Sequence, residues 1–407
     1  MIKIKTLIEL FDDCQIENMI AGLKFEPEKI IFLGFKKTMT AKRKADLAHF
    51  LEIKGLNIAL EYEVVGRYNY QEIVDRLLYI LDRNEDCAFD LTGGKELVLL
   101  AMGNVASSHN IPMFQFDIHN DKFIEIKDCD DLPKEKQISL TISENIALNG
   151  GSIISGSYND SKWKLTNDFK GDIWKAWVVC SRDCNLWNKN STTFGLIEHF
   201  GANNGLYVKS DIKQVGSIID FPVFYEEILL GLRDKGLVQK CKVDENTLEF
   251  RYKNDQVRKL LLKGGNILEL YTYMIANEIS KENDGFYNDI DIGVFIDWDG
   301  VVHDFKESVK DTRNEIDVML MRGVKPVFIS CKNGELKKEA LYELDTVANR
   351  FGGEYAKRII ITTDAGNSFE GYKYIMQRAK DMNIKIISDV NKMSKEEFKE
   401  VFEKIAK

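Results

Sequence analysis

Two stretches in the last third of the chain decide its fold: Asn314–Leu320 (NEIDVML) and Lys325–Lys332 (KPVFISCK). Both are rich in apolar and β-branched residues, and an Arg-Gly pair between them is typical of a turn, so they predict two buried neighbouring strands. Glu315 and Asp317 are two residues apart, which places both carboxylates on one face of a strand. Lys332 ends the other strand.

Acidic side chains beside a lysine at the end of a small sheet predict a site for a divalent cation and a scissile phosphate. The cation would polarise a phosphate oxygen and lower the pKa of bound water. Lys332 would position that water or balance charge on the pentacovalent phosphorus. The alternative, on these residues alone, is a surface hairpin whose charges are only solvated.

The surrounding pattern adds context to this pair of strands. Glu269 lies on a helix predicted after Gly264-Gly265, and an apolar helix is predicted from about 335 to 350. Strands at 358–363 (RIIITT) and 384–387 (IKII) follow. Glu on a helix, Asp on one strand and x-x-Lys on the next, in the order helix–strand–strand–strand–helix–strand, resembles the PD-(D/E)xK nuclease core.

This resemblance implies a role for each site residue. Asp317 would be the principal metal ligand, Lys332 the catalytic lysine, and Glu269 would complete the site, with Glu315 as its competitor. The family usually has an acidic residue two positions before the lysine, where this chain has Ser330. The metal, Mn²⁺ or Mg²⁺, would then rely on Asp317, the Cys331 carbonyl, water, and Glu269 or Glu315.

A rival motif lies just upstream of these strands. Residues 294–301 (VFIDWDGV) resemble the first motif of haloacid-dehalogenase phosphatases, in which Asp297 would be the nucleophile and Asp299 the general acid or base. The later acidic pair of that family is not found after Asp364. A turn at Asp299-Gly300 between apolar runs is the plainer interpretation.

Strand and helix patterns alternate over residues 1–130, which predicts a parallel, doubly wound sheet. Thr92-Gly93-Gly94-Lys95 follows a short strand and precedes a helix. Ligands of such sheets bind outside the carboxyl ends of the strands, where backbone N–H groups, a helix N-terminus and a lysine suit a phosphate. The alternative is a tight strand-to-helix turn.

The Thr92–Lys95 turn, with the polar loop of Asp12, Asp13 and Gln15 across the cleft, resembles a CARF domain, the sensor of cyclic oligoadenylates. The family usually has Thr-Gly-Gly-Thr-Lys, so one residue is missing before Lys95. The resemblance implies a two-fold dimer that holds one ring-shaped ligand with the same loop of both chains.

The middle of the chain is predicted to be a connector. A helix at 224–235 and a hairpin reaching 252 look like a winged-helix wing, and several tryptophans here indicate a buried core rather than base stacking. We predict three domains: a sensor at 1–145, a connector at 146–260 and a nuclease at 261–407.

Composition limits the function classes. The formal net charge of −9 argues against a protein that coats nucleic acid by bulk electrostatics. The seven scattered cysteines predict neither a zinc nor a disulfide framework. No signal peptide or membrane-spanning apolar run is evident, so a soluble cytoplasmic protein is predicted.

Taken together, the chain resembles CRISPR-associated CARF–PD-(D/E)xK nucleases of type III systems. The resemblance implies a homodimeric, metal-dependent endonuclease that cuts single-stranded RNA or DNA once cyclic tetraadenylate binds. The first alternative is a ligand-responsive winged-helix transcription regulator with a degenerate nuclease site. The second is the phosphatase that would use Asp297 and Asp299.

Overall fold

The computed structural model describes residues 4–130, 132, 137–154, 163–200, 202–211, 226–244, 247–301, 313–364 and 369–406. These residues form three β-sheets with helices packed against them. The architecture is mixed α/β: a Rossmann-like N-terminal sheet, a winged-helix-like middle part and a restriction-endonuclease-like C-terminal sheet, as the sequence predicts. The division of the chain at about 145 and 260 stays a prediction.

The N-terminal sheet has the strands β1 (Thr6–Leu10), β2 (Lys29–Gly34), β3 (Ala59–Val64), β4 (Cys87–Asp90), β5 (Met113–Asp117) and β6 (Lys122–Lys127). They lie in the order β3-β2-β1-β4-β5-β6, and every neighbouring pair is parallel except β5 and β6. The helices between them are α1 (Ile20–Phe25), α2 (Ala41–Lys54), α3 (Tyr70–Leu81) and α4 (Glu96–His109). This is the predicted doubly wound sheet.

Helices cover both faces of this sheet, which explains why β1 is apolar at successive positions. Leu7 packs into the core on the α1 and α2 face, and Ile8 packs into the core on the α3 and α4 face. The chain leaves β1 for β2 on one side and returns to β4 on the other. A crevice therefore opens at the carboxyl ends of β1 and β4, where such sheets bind ligands.

The middle part contains α5 (Ile142–Leu148), β7 (Ser152–Ile153), α6 (Asn167–Cys180), α7 (Cys184–Phe200), β8 (Ala202–Asn204), β9 (Tyr207–Asp211), α8 (Glu226–Asp234), β10 (Val238–Val243) and β11 (Thr247–Tyr252). β8 to β11 form an antiparallel sheet in the order β10-β11-β9-β8, so the predicted helix and hairpin are present. Trp177 and Trp187 are buried, and Trp177 stacks on Tyr271 with ring centroids 4.2 Å apart. These two tryptophans therefore serve packing, as predicted.

The C-terminal part contains α9 (Asp255–Leu262), α10 (Asn266–Glu282), β12 (Asp289–Asp297), β13 (Arg313–Arg322), β14 (Lys325–Glu335), α11 (Lys338–Gly352), β15 (Lys357–Asp364), α12 (Phe369–Asp381), β16 (Ile384–Ile387) and α13 (Lys395–Ala406). The sheet order is β16-β15-β14-β13-β12-β7, with β12 to β14 antiparallel and β14 to β16 parallel. β7, from residues just after α5, extends this sheet by pairing with β12.

Strand β14 is longer than predicted. The sequence indicates a break at Asn333-Gly334 and a helix from about 335, but the strand continues to Glu335 and α11 begins at Lys338. Gly334 has φ +136° and lies where the β14–β15 register shifts, between Lys332 and Glu335. Gly334 thus permits an irregularity within strand β14 and does not form a turn after the strand.

Candidate functional site

The predicted carboxylates and lysine of the C-terminal sheet meet in one cleft of about 780 Å³. Strands β13 and β14 form its floor, and α10 forms one wall. The cleft is lined by all six residues predicted for this site: Glu269, Glu315, Asp317, Ser330, Cys331 and Lys332. The tertiary structure therefore brings together the helix residue and the strand residues that lie about 50 positions apart in the sequence.

Asp317 is held rigidly at the point where two strands separate. The β13–β14 ladder runs from Arg322 to Val318, which pairs with Ile329. Beyond it, the Cys331 amide donates to the Asp317 Oδ2 atom at 2.6 Å, and the Ser330 hydroxyl donates to the same atom at 3.3 Å. The Ser330 hydroxyl therefore helps to orient the Asp317 carboxylate. The other oxygen of this carboxylate, Oδ1, takes part in neither of these two hydrogen bonds.

Glu269 lies in the first turn of α10 and is 7% exposed. Burial, then the Asp317 carboxylate, raises its pKa to about 7, while the ammonium of Lys263 acts in the opposite sense. The Lys263 Nζ atom is 4.0 Å from Glu269 Oε1. The cleft thus holds two carboxylates and disfavours the ionised form of Glu269. A bound cation would stabilise the ionised form of both carboxylates.

The donor set of this cleft fits a divalent cation of the hard, oxygen-binding kind. Within the described ranges, no three His, Cys, Asp or Glu side chains are close enough to hold a metal by themselves. Asp317 and Glu269 would hold the ion together with a main-chain carbonyl and water, and Glu315 is exposed at the same edge. A bound cation would supply Lewis-acid polarisation of phosphate oxygen.

In the N-terminal sheet, two polar loops face each other across the crevice between β1 and β4. The Asp12 Oδ1 atom accepts from the amides of Asp13 and Cys14 at 2.6 and 3.2 Å. Its Oδ2 atom lies 4.0 Å from the Lys95 Nζ atom. Asp12 and Lys95 therefore stand opposite each other, as predicted.

The other residues predicted for the crevice are engaged differently. The Thr92 hydroxyl donates to Asp90 Oδ1 at 2.5 Å and accepts from the Phe116 amide at 2.9 Å, which anchors the turn to the sheet. Asp13 pairs with Arg43 at 2.5 Å, and the buried Gln15 accepts from Asn18 at 3.0 Å. Asp13 therefore connects its loop to α2, and Gln15 forms a hydrogen bond within its own segment.

The Asp12–Gln15 loop also contacts the C-terminal part of the chain. With Asn145, Asn149 and the turn Gly353–Tyr355 after α11, it lines a cavity of about 360 Å³. The Tyr355 hydroxyl donates to Glu17 Oε1 at 2.6 Å, and the Asn145 amide donates to the Phe351 carbonyl at 2.7 Å. The predicted ligand loop thus lies directly against the end of α11, and residues in the middle of this helix, Glu343, Leu344 and Val347, line the cleft of the C-terminal sheet.

Residues 255–404 match the protein family described as "Card1-like, endonuclease domain". The chain carries a Card1-like endonuclease domain. The predicted endonuclease activity is confirmed, and so is the nuclease half of the predicted resemblance.

Two solved structures share the fold over almost the whole chain. Protein VC1899 from Vibrio cholerae is 17% identical, with a TM-score of 0.74 over 98% of each chain. Can2 from Sulfobacillus thermosulfidooxidans, solved in complex with cyclic tetra-adenylate, is also 17% identical, with a TM-score of 0.67 over 99% of this chain and 97% of that chain. At this identity the likeness concerns the fold. No curated protein matches the sequence.

The structure does not support the phosphatase interpretation of Asp297 and Asp299, which lie within the residues that match the Card1-like domain. Asp297 is fully buried at the end of β12, and its Oδ2 atom accepts from the Gly300 amide at 3.1 Å. A nucleophile must be reached by substrate, and this carboxylate stabilises a bend instead. Since Asp297 pairs with Arg313, the connection between β12 and β13 is also longer than the two-residue turn predicted at Asp299-Gly300.

Sequence reasoning missed three residues that line the Card1-like cleft, Lys263, Asn185 and Asn188. Lys263 adds positive charge to that of Lys337, and the two asparagines come from α7 of the middle part. Lys263 directly precedes the glycine pair before α10, so its position next to the helix that carries Glu269 could have been read from the sequence. The two asparagines carry no local signal, because only packing brings α7 to the cleft.

Glu17 gives the contact between the sensor loop and the Card1-like domain a pH dependence. Burial raises its pKa from 4.5 to about 7, and the carboxylates of Asp12 and Glu354 act in the same sense, while the Tyr355 hydrogen bond opposes them. The ionised form of Glu17 therefore destabilises the folded state relative to the unfolded chain. This destabilisation is absent below pH 4.5, the unfolded-state pKa, and is complete above about pH 7.

We expect Glu17→Gln to stabilise the protein at pH 8 but not at pH 4, by at most about 3 kcal/mol, since each pKa unit corresponds to about 1.4 kcal/mol. The amide oxygen can still accept from Tyr355. Urea unfolding midpoints at the two pH values measure the effect, and Glu400→Gln, which removes an exposed carboxylate on α13, is the control. An equal change at both pH values would contradict the assignment.

Proposed function

We propose that this endonuclease cuts single-stranded RNA or DNA with Mn²⁺ or Mg²⁺, and that a cyclic oligoadenylate, foremost cyclic tetraadenylate, activates it in antiviral defence in the cytoplasm. The observation that carries the proposal is the convergence of Asp317, Glu269 and Lys332 in one cleft of a Card1-like domain. The opposed Asp12 and Lys95 loops support the sensor half. Can2, which shares the fold, was solved with that ligand.

The chemistry assigned to this chain's own residues is limited. Asp317 and Glu269 would hold the cation, which when bound would supply polarisation of a phosphate oxygen. Lys332 positions the attacking water or stabilises the negative charge that develops on the phosphorus oxygens. Lys263 and Lys337 at the rim of the cleft bind flanking phosphates of the strand, because an ammonium binds phosphate as a point charge.

Activation would be a shift between two states of a dimer. A ligand can favour the active state only through tighter binding to that state. The contact of the Asp12–Gln15 loop with Gly353–Tyr355 gives the ligand site a direct connection to α11 and hence to the cleft. The domain bounds 1–145, 146–260 and 261–407 are part of this proposal.

The homodimer is proposed to form through α4, which follows the Thr92–Lys95 turn. Leu100 on this helix is 62% exposed, and no atom lies within 4 Å of where a Cβ of Gly103 would be. Such an apolar side chain beside an open surface suits a two-fold interface, where each contact occurs twice.

We expect Leu100→Glu to weaken dimerisation by about 10²- to 10⁴-fold, because burying two leucines contributes about 3–6 kcal/mol. Sedimentation velocity across a concentration series measures it. Val401→Glu, on α13, is the control at another exposed apolar residue. An unchanged dimer constant for Leu100→Glu would place the interface elsewhere.

The test of the proposed function is a cleavage assay on labelled single-stranded RNA, single-stranded DNA and plasmid, with Mn²⁺ or Mg²⁺. Each reaction is run with and without cyclic tetraadenylate, and with EDTA added. We expect cutting that requires both the activator and the metal. Tight activator binding without cutting under any condition would instead favour the ligand-responsive regulator, in which Ser330 marks a degenerate nuclease site.

A further inference from the structure

The residue after the catalytic lysine is bonded to three separate parts of the chain. The Asn333 side-chain amide donates to the Gly264 carbonyl at 2.9 Å and to Asn188 Oδ1 at 3.0 Å. Its Oδ1 atom accepts from the Thr363 hydroxyl at 3.0 Å. In return, the Asn188 amide donates to the Asn333 main-chain carbonyl. We call this pair, Asn188 with Asn333, the asparagine clasp.

Each partner of the clasp belongs to an element that carries or borders the catalytic site. Gly264 lies two residues before the start of α10 and five residues before Glu269. Thr363 lies on β15, the neighbour of the strand that carries Lys332. Asn188 lies on α7 of the middle part and lines the same cleft. The clasp therefore connects the lysine strand, the glutamate helix and the connector at one point.

The main chain alone does not define the position of Lys332. The β14–β15 ladder is irregular between Lys332 and Glu335, and Gly334 within that step has φ +136°. Where the ladder is interrupted, side-chain hydrogen bonds must satisfy the main chain and set its course. The asparagine clasp supplies such hydrogen bonds at this irregularity. The Thr362 hydroxyl adds another by donating to the Gly334 carbonyl at 2.7 Å.

The packing around the clasp leaves little room for slippage. A Cβ atom on Gly264 would lie 2.3 Å from Asn188 Oδ1, so the α10 start and α7 are in close contact only because residue 264 is glycine. Any shift of α7 therefore displaces Asn188 relative to both Gly264 and Asn333. Such close-packed contacts transmit displacement rather than absorb it.

We propose that the asparagine clasp is the positioning element of the nuclease reaction: α7 of the middle part sets the placement of Lys332 relative to Glu269. This rests on the proposed nuclease function and adds to it that the connector is a wall of the active cleft. Asn333 and Asn188 act through Lys332 and Glu269 and are positioning residues, not catalytic ones. A ligand-driven movement of α7 would reach both catalytic residues through these bonds.

The first test compares kinetic constants of Asn333→Ala, Asn188→Ala and the double variant with wild type, at saturating activator. We expect kcat to fall about 10- to 100-fold, since a displacement of about 1 Å costs about that much, with KM and activator affinity within about twofold. Because both side chains act in one contact, the double variant should lose about as much as Asn333→Ala alone. Asn277→Ala, whose amide bonds within α10, is the matched control.

A second test does not depend on activity. Hydrogen–deuterium exchange of the segment 330–336 should accelerate about tenfold or more in Asn188→Ala, although residue 188 is distant in sequence, and should stay unchanged in Asn277→Ala. Wild-type cutting with unaffected kcat in the clasp variants, or additive losses, would overturn the inference. Absence of wild-type cutting would refute the proposed function instead, and the exchange result would still decide whether α7 holds the Lys332 segment.

Discussion

Lys332→Ala is expected to lower the rate of cleavage by about 10³-fold at saturating metal and activator. Removal of a positioned acid–base group or of one charge-stabilising group typically costs 10²- to 10⁴-fold. The lysine shares the cleft with Glu269 and Asp317, and no other residue of the PD-(D/E)xK pattern supplies a cation at its position. Single-turnover cleavage of labelled single-stranded RNA and DNA measures the effect.

The control for this variant is Lys385→Ala, which removes an exposed lysine from edge strand β16 of the same sheet. It should cut like wild type. Asp317→Ala should also abolish cutting, yet keep the dimer and activator binding intact, because the sensor loops lie on another sheet. A Lys332→Ala enzyme with nearly normal rates would remove the lysine from the mechanism and with it the PD-(D/E)xK assignment of this cleft.

Gly94→Ala is expected to raise the dissociation constant of cyclic tetraadenylate by about 10- to 100-fold. Gly94 has φ +149°, a conformation that side chains other than glycine rarely adopt, and a Cβ there would lie 2.8 Å from Leu99 Cδ2. Strain of this kind costs about 1–3 kcal/mol, and each 1.4 kcal/mol is about tenfold in affinity. The turn would have to change shape and move Lys95 away from Asp12.

Isothermal titration with cyclic tetraadenylate measures this change. Gly171→Ala is the matched control, because that glycine lies in α6 with no atom within 4 Å of the added Cβ. Cleavage at saturating activator should recover in Gly94→Ala, which separates a binding defect from a catalytic one. Unaltered affinity would move the ligand away from the Thr92–Lys95 turn.

The sequence predicted which strands and helix bring Glu269, Asp317 and Lys332 to one cleft, because the signals for these elements are local. The alternation of apolar residues around Asp317 and Lys332 defines two strands, and a helical pattern carries Glu269. The role of Ser330 was not predictable: as a hydrogen-bond donor to Asp317, it depends on where β13 and β14 separate. Asn188 was missed altogether, because it lies 145 positions from its partner Asn333.

The sensor loops show the same limit. Sequence reasoning placed Asp12, Asp13 and Gln15 together across the crevice from Lys95, and the structure brings the Asp12 carboxylate to within 4.0 Å of the Lys95 ammonium. Asp13 instead meets Arg43 of α2, which the sequence could not indicate because the two residues are 30 positions apart. The approach of Tyr355 to Glu17 joins opposite ends of the chain and likewise has no local signal.

Sequence patterns were sufficient to predict the doubly wound N-terminal sheet, the strand pair of the C-terminal sheet and the carboxylates and lysine of the proposed catalytic cleft. Periodicity and turn chemistry act between neighbours in the chain, so they can be read from it directly. Two contacts became visible only in the folded chain: α7 borders that cleft, and the Asp12–Gln15 loop touches the end of α11. Those contacts arise from packing between distant segments, which depends on the shapes of all the intervening elements at once.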